Sequence, residues 1–218
     1  MKIVNCKLKI NILDLLFPPV CFGCKGEGKW LCLECEKIYL SKPLIQRVLG
    51  RGKIRVISLT KYHEENIKYA IYCLKYRSVK KYGEALGGLL AQKLPSRFFD
   101  NSILIPIPLS KSKIRERGFN QAEIISQKLA ERFNRSICKA LMKIKSGPSQ
   151  VEMENKKERR QNIKGSFCLA ENAGELRGKR IILIDDVVTT GATLLEASKV
   201  LRRAKPIDVR AITIADDI

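Results

Sequence analysis

The run Ile181-Ile182-Leu183-Ile184-Asp185-Asp186-Val187-Val188-Thr189-Thr190-Gly191-Ala192-Thr193 decides how the rest of the 218-residue chain is read. Four consecutive branched apolar residues describe a strand buried on both faces, as in a parallel sheet. It ends in two carboxylates, and the chain then turns through Thr-Thr-Gly-x-Thr into a helix near Ala192. Backbone N–H groups at that helix start, with the hydroxyls of Thr189, Thr190 and Thr193, predict a cradle for a phosphate. Gly191 is read as letting the backbone approach the anion with no Cβ in the way. Asp185 and Asp186 beside such a cradle would repel an anion unless they hold hydroxyls or a divalent cation. A sugar phosphate supplies the hydroxyls, and its pyrophosphate brings Mg²⁺. A bare strand–turn–helix with a capping threonine is the alternative, and the paired carboxylates argue against it. The glycine spacing and following Lys of a Walker A loop are missing, as is the G-x-G-x-x-G of dinucleotide binders.

Outward from this run, strands and helices alternate. The patterning predicts strands over 54–60, 103–107 and 207–214, and helices over 64–76, 82–94, 121–133 and 192–204. Two short strands, 139–144 and 165–169, flank twenty residues rich in charge. The alternation specifies an α/β fold with a mostly parallel sheet flanked by helices. Residues 36–53, with Pro43 and with Gly50 and Gly52 around Arg51, read as a connector. The domain boundary is therefore placed near 50, giving segments 1–50 and 51–218. Ile10, Leu13 and Phe17 at helical spacing predict an N-terminal helix, stopped by Pro18-Pro19.

Four of the eight cysteines fall in a 15-residue window, Cys21, Cys24, Cys32 and Cys35, spaced C-x2-C-x7-C-x2-C. Two tight turns that each aim two sulfurs at one point supply the four thiolates of a tetrahedral zinc site. One CxxC could be a redox motif, but two so close together are better explained by structural zinc. Such a short basic segment also has no other visible means of staying folded. Cys73, Cys138 and Cys168 read as inert thiols among apolar neighbours.

The formal charge is +20, with net +7 over residues 1–60, +14 over 61–180 and −1 over 181–218. A field of that sign attracts nucleic acid or a highly charged phosphate metabolite, or it only solubilises. Tyr69, Tyr72 and Tyr76 share one side of a helix with Lys68, Lys75 and Arg77 nearby. They could stack bases, although such a stripe is more often core with a snorkelling rim. No uncharged run is long enough to span a bilayer. Lys7, Lys9 and Asp14 interrupt the N-terminus where a signal peptide needs an apolar core, so membrane insertion is not expected and a cytoplasmic location is.

The run from 181 to 193 closely resembles the 5-phosphoribosyl-1-pyrophosphate (PRPP) signature of type I phosphoribosyltransferases at all thirteen positions. Further motifs narrow the match. They are Ile105-Pro106-Ile107-Pro108-Leu109, Arg115-Glu116-Arg117-Gly118-Phe119-Asn120-Gln121, Phe17-Pro18-Pro19-Val20-Cys21, Leu74-Lys75-Tyr76 and Arg159-Arg160-Gln161-Asn162-Ile163-Lys164-Gly165-Ser166-Phe167. Together they resemble the ComF family, competence-associated relatives of phosphoribosyltransferases with an N-terminal zinc ribbon.

That resemblance implies a type I phosphoribosyltransferase-like domain following a small zinc ribbon. It also implies that Asp185 and Asp186 hold the ribose 2′- and 3′-hydroxyls while residues 189–193 (Thr189, Thr190, Gly191, Ala192, Thr193) hold the 5′-phosphate, with Val187 and Val188 also among the substrate-binding residues. Pro108, Leu109 and Ser110 would open the pyrophosphate loop, with charge from Arg115 and Arg117 and from Lys111 and Lys113. The residues alone read 111–117 as a solvated basic turn. Asn120 and Gln121 complete the implied substrate contacts, and Arg117 and Arg159 join the two aspartates as catalytic residues. Residues 146–162 resemble the loop that closes over substrate, and Leu109–Ser110 is the implied position of a cis peptide.

The implied chemistry is transfer of phosphoribosyl from Mg²⁺-bound PRPP to an acceptor, with pyrophosphate released. The other reading is a nucleic-acid-handling competence factor that binds single-stranded DNA or other competence proteins and uses the PRPP site for regulation.

Overall fold

The computed structural model describes residues 18–50, 52–144 and 163–218. The expected N-terminal helix, Arg159 and the loop 146–162 lie outside these residues. A five-stranded sheet is built from β1 (Ile45–Leu49), β2 (Ile54–Lys61), β3 (Ser102–Pro106), β6 (Arg180–Val188) and β7 (Asp208–Asp216) in the order β1-β2-β7-β6-β3. All neighbours are parallel except β1, which pairs antiparallel with β2. A separate two-stranded sheet joins β4 (Leu141–Lys143) to β5 (Phe167–Leu169).

The apolar run of β6 is continuous because both its faces are covered. Ile182 and Ile184 pack into one cluster with residues of α2 (Glu65–Tyr76), α3 (Lys80–Lys93) and α5 (Gln121–Phe133). Ile181 and Leu183 pack into the other, with α6 (Ala192–Leu201) and the β4–β5 side. Alternation of side chains along the strand therefore sends Asp185 and Asp186 to opposite faces. The strand runs on past both carboxylates to Val188, two residues further than a strand ending at the acids.

Two segments differ from the sequence reading. The connector 36–53 holds most of a helix, α1 (Leu33–Ser41), followed by the edge strand β1. Only Leu49 of β1 is buried, so its apolar signal is weak. The basic stretch 111–117 is a helix, α4 (Lys111–Arg117), capped by Ser110, whose Oγ accepts from the Lys113 N–H. Gly118 ends it in the left-handed conformation. No peptide among the described residues is cis, so Leu109–Ser110 is trans.

The cysteine segment packs onto the same body. Phe22 and Tyr39 belong to the core cluster of α2 and α3, and the Tyr82 hydroxyl donates to the Val20 carbonyl at 3.0 Å.

Candidate functional site

At the carboxyl end of the parallel strands lies a cleft of about 390 Å³. Open α/β sheets place ligands at this end. Its lining unites segments far apart in sequence: Pro108, Leu109 and Ser110, then Arg117, Asn120 and Gln121, and the whole run 185–193. Arg115 is exposed and is not among the lining residues.

The loop after β6 carries backbone donors that its own bonding leaves free. Among the described residues, the Thr190 and Gly191 N–H groups have no acceptor, and Ala192 N–H reaches only Thr190 Oγ1 at 3.4 Å. Gly191 has φ +74 and supports the turn. A Cβ there would meet Leu49 Cδ1 of β1 at 2.4 Å. The glycine is thus required by the backbone conformation and by Leu49, which corrects the expectation that its bareness serves the approaching anion.

The two carboxylates occupy different electrostatic settings. Asp186, on the α2 side, is ion-paired with Lys75 Nζ at 3.0 Å. Burial works against the Lys75 charge, but Asp186 outweighs it and Lys75 is held above its ordinary pKa. Asp185, on the other face, is pushed up to about 7 by desolvation and by the neighbouring Asp186 charge. Asp185 Oδ1 accepts the Asp186 N–H at 2.9 Å. Lys113 and Lys143 are shifted down, chiefly by burial; Arg117 adds to the effect at Lys113. Four cations, Lys75, Lys113, Lys143 and Arg117, line the cleft with three carboxylates, Asp185, Asp186 and Asp217. That arrangement suits a polyanion with hydroxyls.

Two of the buried donors that have no partner among the described residues belong to the cleft. Arg117 Nε and Gln121 Nε2 are both unbonded, in side chains that line the cleft. Buried polar groups are seldom left so, and oxygen atoms of a ligand would satisfy them. Asn120 is different. Its Nδ2 donates to the Ile107 carbonyl at 3.0 Å and its Oδ1 accepts from Ala122 N–H, so it fixes the loop to α5 with its own bonds.

Sequence reasoning missed Lys143, and placed Lys75 in a family motif and beside the tyrosine stripe without linking it to the aspartates. Both lie far along the chain from residue 185 and reach it only through the packing of β4 and α2. Tyr72 and Tyr76 also line the cleft and are about half exposed, with Tyr69 beyond them. The stripe is not core, which corrects the favoured reading of it. The Arg117 guanidinium sits 5.5 Å from the Tyr76 ring centroid.

The second cluster is sulfur. The Sγ atoms of Cys21, Cys24, Cys32 and Cys35 all lie within 4.8 Å of one another, and Cys24 and Cys32 are 3.7 Å apart. Zn–S bonds of about 2.3 Å in a tetrahedron require sulfur separations of roughly 3.8 Å. The donor set therefore fits a metal such as zinc. Gly23 is needed here, since a Cβ would fall 2.6 Å from Cys35 Sγ. Burial alone would raise Cys21, but backbone N–H groups of Cys32, Cys24 and Gly23 bring it down to about 7.

Comparison with known proteins agrees with this geometry. Residues 114–218 match the phosphoribosyl transferase domain family. Competence protein ComFC of Bacillus subtilis is 35% identical over 215 residues, covering 96% of this chain and 82% of that protein. Competence protein F of Haemophilus influenzae is 39% identical over 101 residues, 46% of this chain and 44% of its own length. That match spans less than half of either protein. DNA utilization protein YhgH of Escherichia coli O157:H7 is 26% identical over 204 residues, covering 84% and 83%. The fold is that of the type I phosphoribosyltransferases, with a cysteine cluster near its N-terminus. No helix among the described residues is long and apolar enough to cross a membrane.

Proposed function

The chain belongs to the ComF family, and from that premise we propose that its cleft binds Mg²⁺–PRPP and that its cysteines hold one structural zinc ion. The observation that carries the first part is the loop after β6, with unspent amides beside two carboxylates at the end of a central strand. In this reading Thr189, Thr190, Gly191, Ala192 and Thr193 take the 5′-phosphate, and Val187 and Val188 carry the chain from the acids to them. Asp185 and Asp186 accept from the ribose 2′- and 3′-hydroxyls once Lys75 gives way. Pro108, Leu109 and Ser110 border the pyrophosphate, whose charge is met by Arg117, Lys75 and Lys113. Gln121 Nε2 and Arg117 Nε donate to ligand oxygens. Arg159 keeps its catalytic role by resemblance, and Arg115 acts at longer range from its exposed position.

Mg²⁺ supplies charge neutralisation at the phosphates. If an acceptor enters, its lone pair bonds to ribose C1 as the C1–O bond breaks and the electron pair leaves on pyrophosphate. Charge develops on both fragments, so placed cations and carboxylates do most of the work. Calorimetry with Mg²⁺–PRPP tests this reading. Asp185→Asn with Asp186→Asn should weaken binding on the order of a hundredfold through the loss of charged hydrogen bonds. Unchanged affinity refutes the assignment.

A second reading, handling of single-stranded DNA in competence, is favoured by one observation. Tyr76, Tyr72 and Tyr69 form an exposed row from the cleft toward the cysteine segment, where Lys25 Nζ lies 3.4 Å from the Tyr69 ring centroid. Aromatic faces beside cations stack bases without sequence preference. Replacing Tyr69 and Tyr72 by Ala should weaken salt-dependent binding of single-stranded DNA. Within this proposal residues 1–50 form the ribbon segment and 51–218 the phosphoribosyltransferase-like unit, and the chain works in the cytoplasm.

A further inference from the structure

We propose that Arg47 is a positioning residue for the phosphate loop, an inference that rests on reading that loop as the ribose-phosphate site. Arg47 lies on β1, 142 positions before Thr189 in the chain, and does not line the cleft. Its guanidinium nevertheless holds the back of the loop. Nη2 donates to the Thr189 carbonyl at 2.7 Å and Nη1 to Asp216 Oδ1 at 2.7 Å. The Arg47 side chain is 16% exposed and that of Asp216 1%.

The geometry of one peptide explains the consequence. In a planar trans peptide the C=O and the following N–H point in opposite directions. Fixing the Thr189 carbonyl toward Arg47 therefore fixes the Thr190 N–H away from it. That N–H has no acceptor among the described residues. The planar fork of an arginine can meet two acceptors at once, which a lysine ammonium does less well. The guanidinium also places a positive charge behind the amides, raising the potential that an anion meets.

The clamp has further points of attachment at the end of β1 and just after it. Leu49 touches Gly191 where a Cβ would stand, and Gly50 approaches Leu195 of α6 so closely that a Cβ would lie 2.5 Å from Leu195 Cδ2. Asp216 is paired in register with Val188, and Asp217 N–H donates to the Val188 carbonyl at 2.9 Å. The loop is thus held between β1 and β7, and β1 follows directly on the helix that carries Cys35. The strand contributed by the N-terminal segment sets the loop for its ligand.

The test uses the full chain and two probes. Ribose 5-phosphate reports the loop, and Mg²⁺ with inorganic pyrophosphate reports the Arg117 side. Arg47→Lys retains a charge opposite Asp216. Arg47→Gln with Asp216→Asn removes both charges, so neither carboxylate nor guanidinium is left buried alone. Both should bind ribose 5-phosphate about tenfold or more weakly. Pyrophosphate affinity should change less than about twofold, and Val48→Ala, exposed on the same strand, should behave as the parent. Equal losses for both probes, or no loss for either, would overturn the proposal. If the parent protein itself binds no ribose 5-phosphate, the reading of the cleft fails, and amide hydrogen exchange still judges Arg47. The Leu195 N–H, bonded to the Gly191 carbonyl at 2.9 Å, should then exchange about tenfold faster in Arg47→Lys. Unchanged exchange refutes the clamp.

Discussion

Asp185 is the residue at which the site's chemistry and the protein's stability oppose each other. Its carboxyl is raised from 3.8 to about 7 in the fold, so between those values the folded state binds more protons than the unfolded one. Its contribution to stability is full below about pH 4 and is lost as the pH rises through 7. Urea melts of the ligand-free protein should therefore show a wild-type stability that falls over this window more steeply than that of Asp185→Asn. Binding of a Mg²⁺-bound ligand should change in the opposite sense, strengthening from pH 6 to 8 as the carboxylate forms. Gly191 gives a second test. Gly191→Ala should cost about 2–4 kcal/mol, combining left-handed backbone strain with overpacking against Leu49. In a double-mutant cycle, adding Leu49→Ala should leave only about 1–2 kcal/mol, the backbone part. The acids and the glycine were legible because they are adjacent in the chain. The reason for the glycine was not, since Leu49 is remote in sequence.

Elements were read well where both faces carry apolar residues and poorly where one face is bare. The strand at β6 is a continuous apolar run, and the helix at α5 repeats its apolar residues at helical spacing. Strand β1 is an edge with one buried residue, and the flanking Pro43, Gly50 and Gly52 made it look like a linker. Helix α4 is rich in charge and short, so capping rather than periodicity defines it. Ser110→Ala should thus lower stability by about 0.5–1 kcal/mol, measured by denaturant melting. Ser110→Asp can cap equally well and should restore stability. Because Ser110 lines the cleft, the added carboxylate should still weaken pyrophosphate binding. A helix indifferent to Ser110→Ala would show that the cap is not what holds Arg117 in place. The tyrosine row illustrates the limit of pattern reading: spacing gives a shared face, but not whether that face meets core or solvent.

At the scale of the whole molecule, the cysteine segment and the sheet are one piece of packing. Phe22 and Tyr39 enter the core cluster, and Lys93 Nζ donates to the Tyr39 carbonyl at 2.9 Å, near the end of the helix that carries Cys35. Elemental analysis should find one zinc per chain, and Cys24→Ser with Cys32→Ser should lose it and lower the melting temperature of the entire protein. A protein of unchanged melting temperature would mean that the ribbon is held by its apolar contacts alone. The boundary near residue 50 was drawn from composition, which cannot see that β1 pairs with β2. Deleting residues 1–50 would remove β1 together with the cysteines, so cysteine substitution is the cleaner probe of the ribbon's part in DNA binding. The central claim is that the loop after β6 receives a ribose phosphate, and amide chemical shifts followed during titration with Mg²⁺–PRPP test it most directly. The largest shifts should fall on Thr190, Gly191 and Thr193, and they should vanish in Asp185→Asn with Asp186→Asn. Shifts confined to the cysteine segment, or none at all, would contradict it.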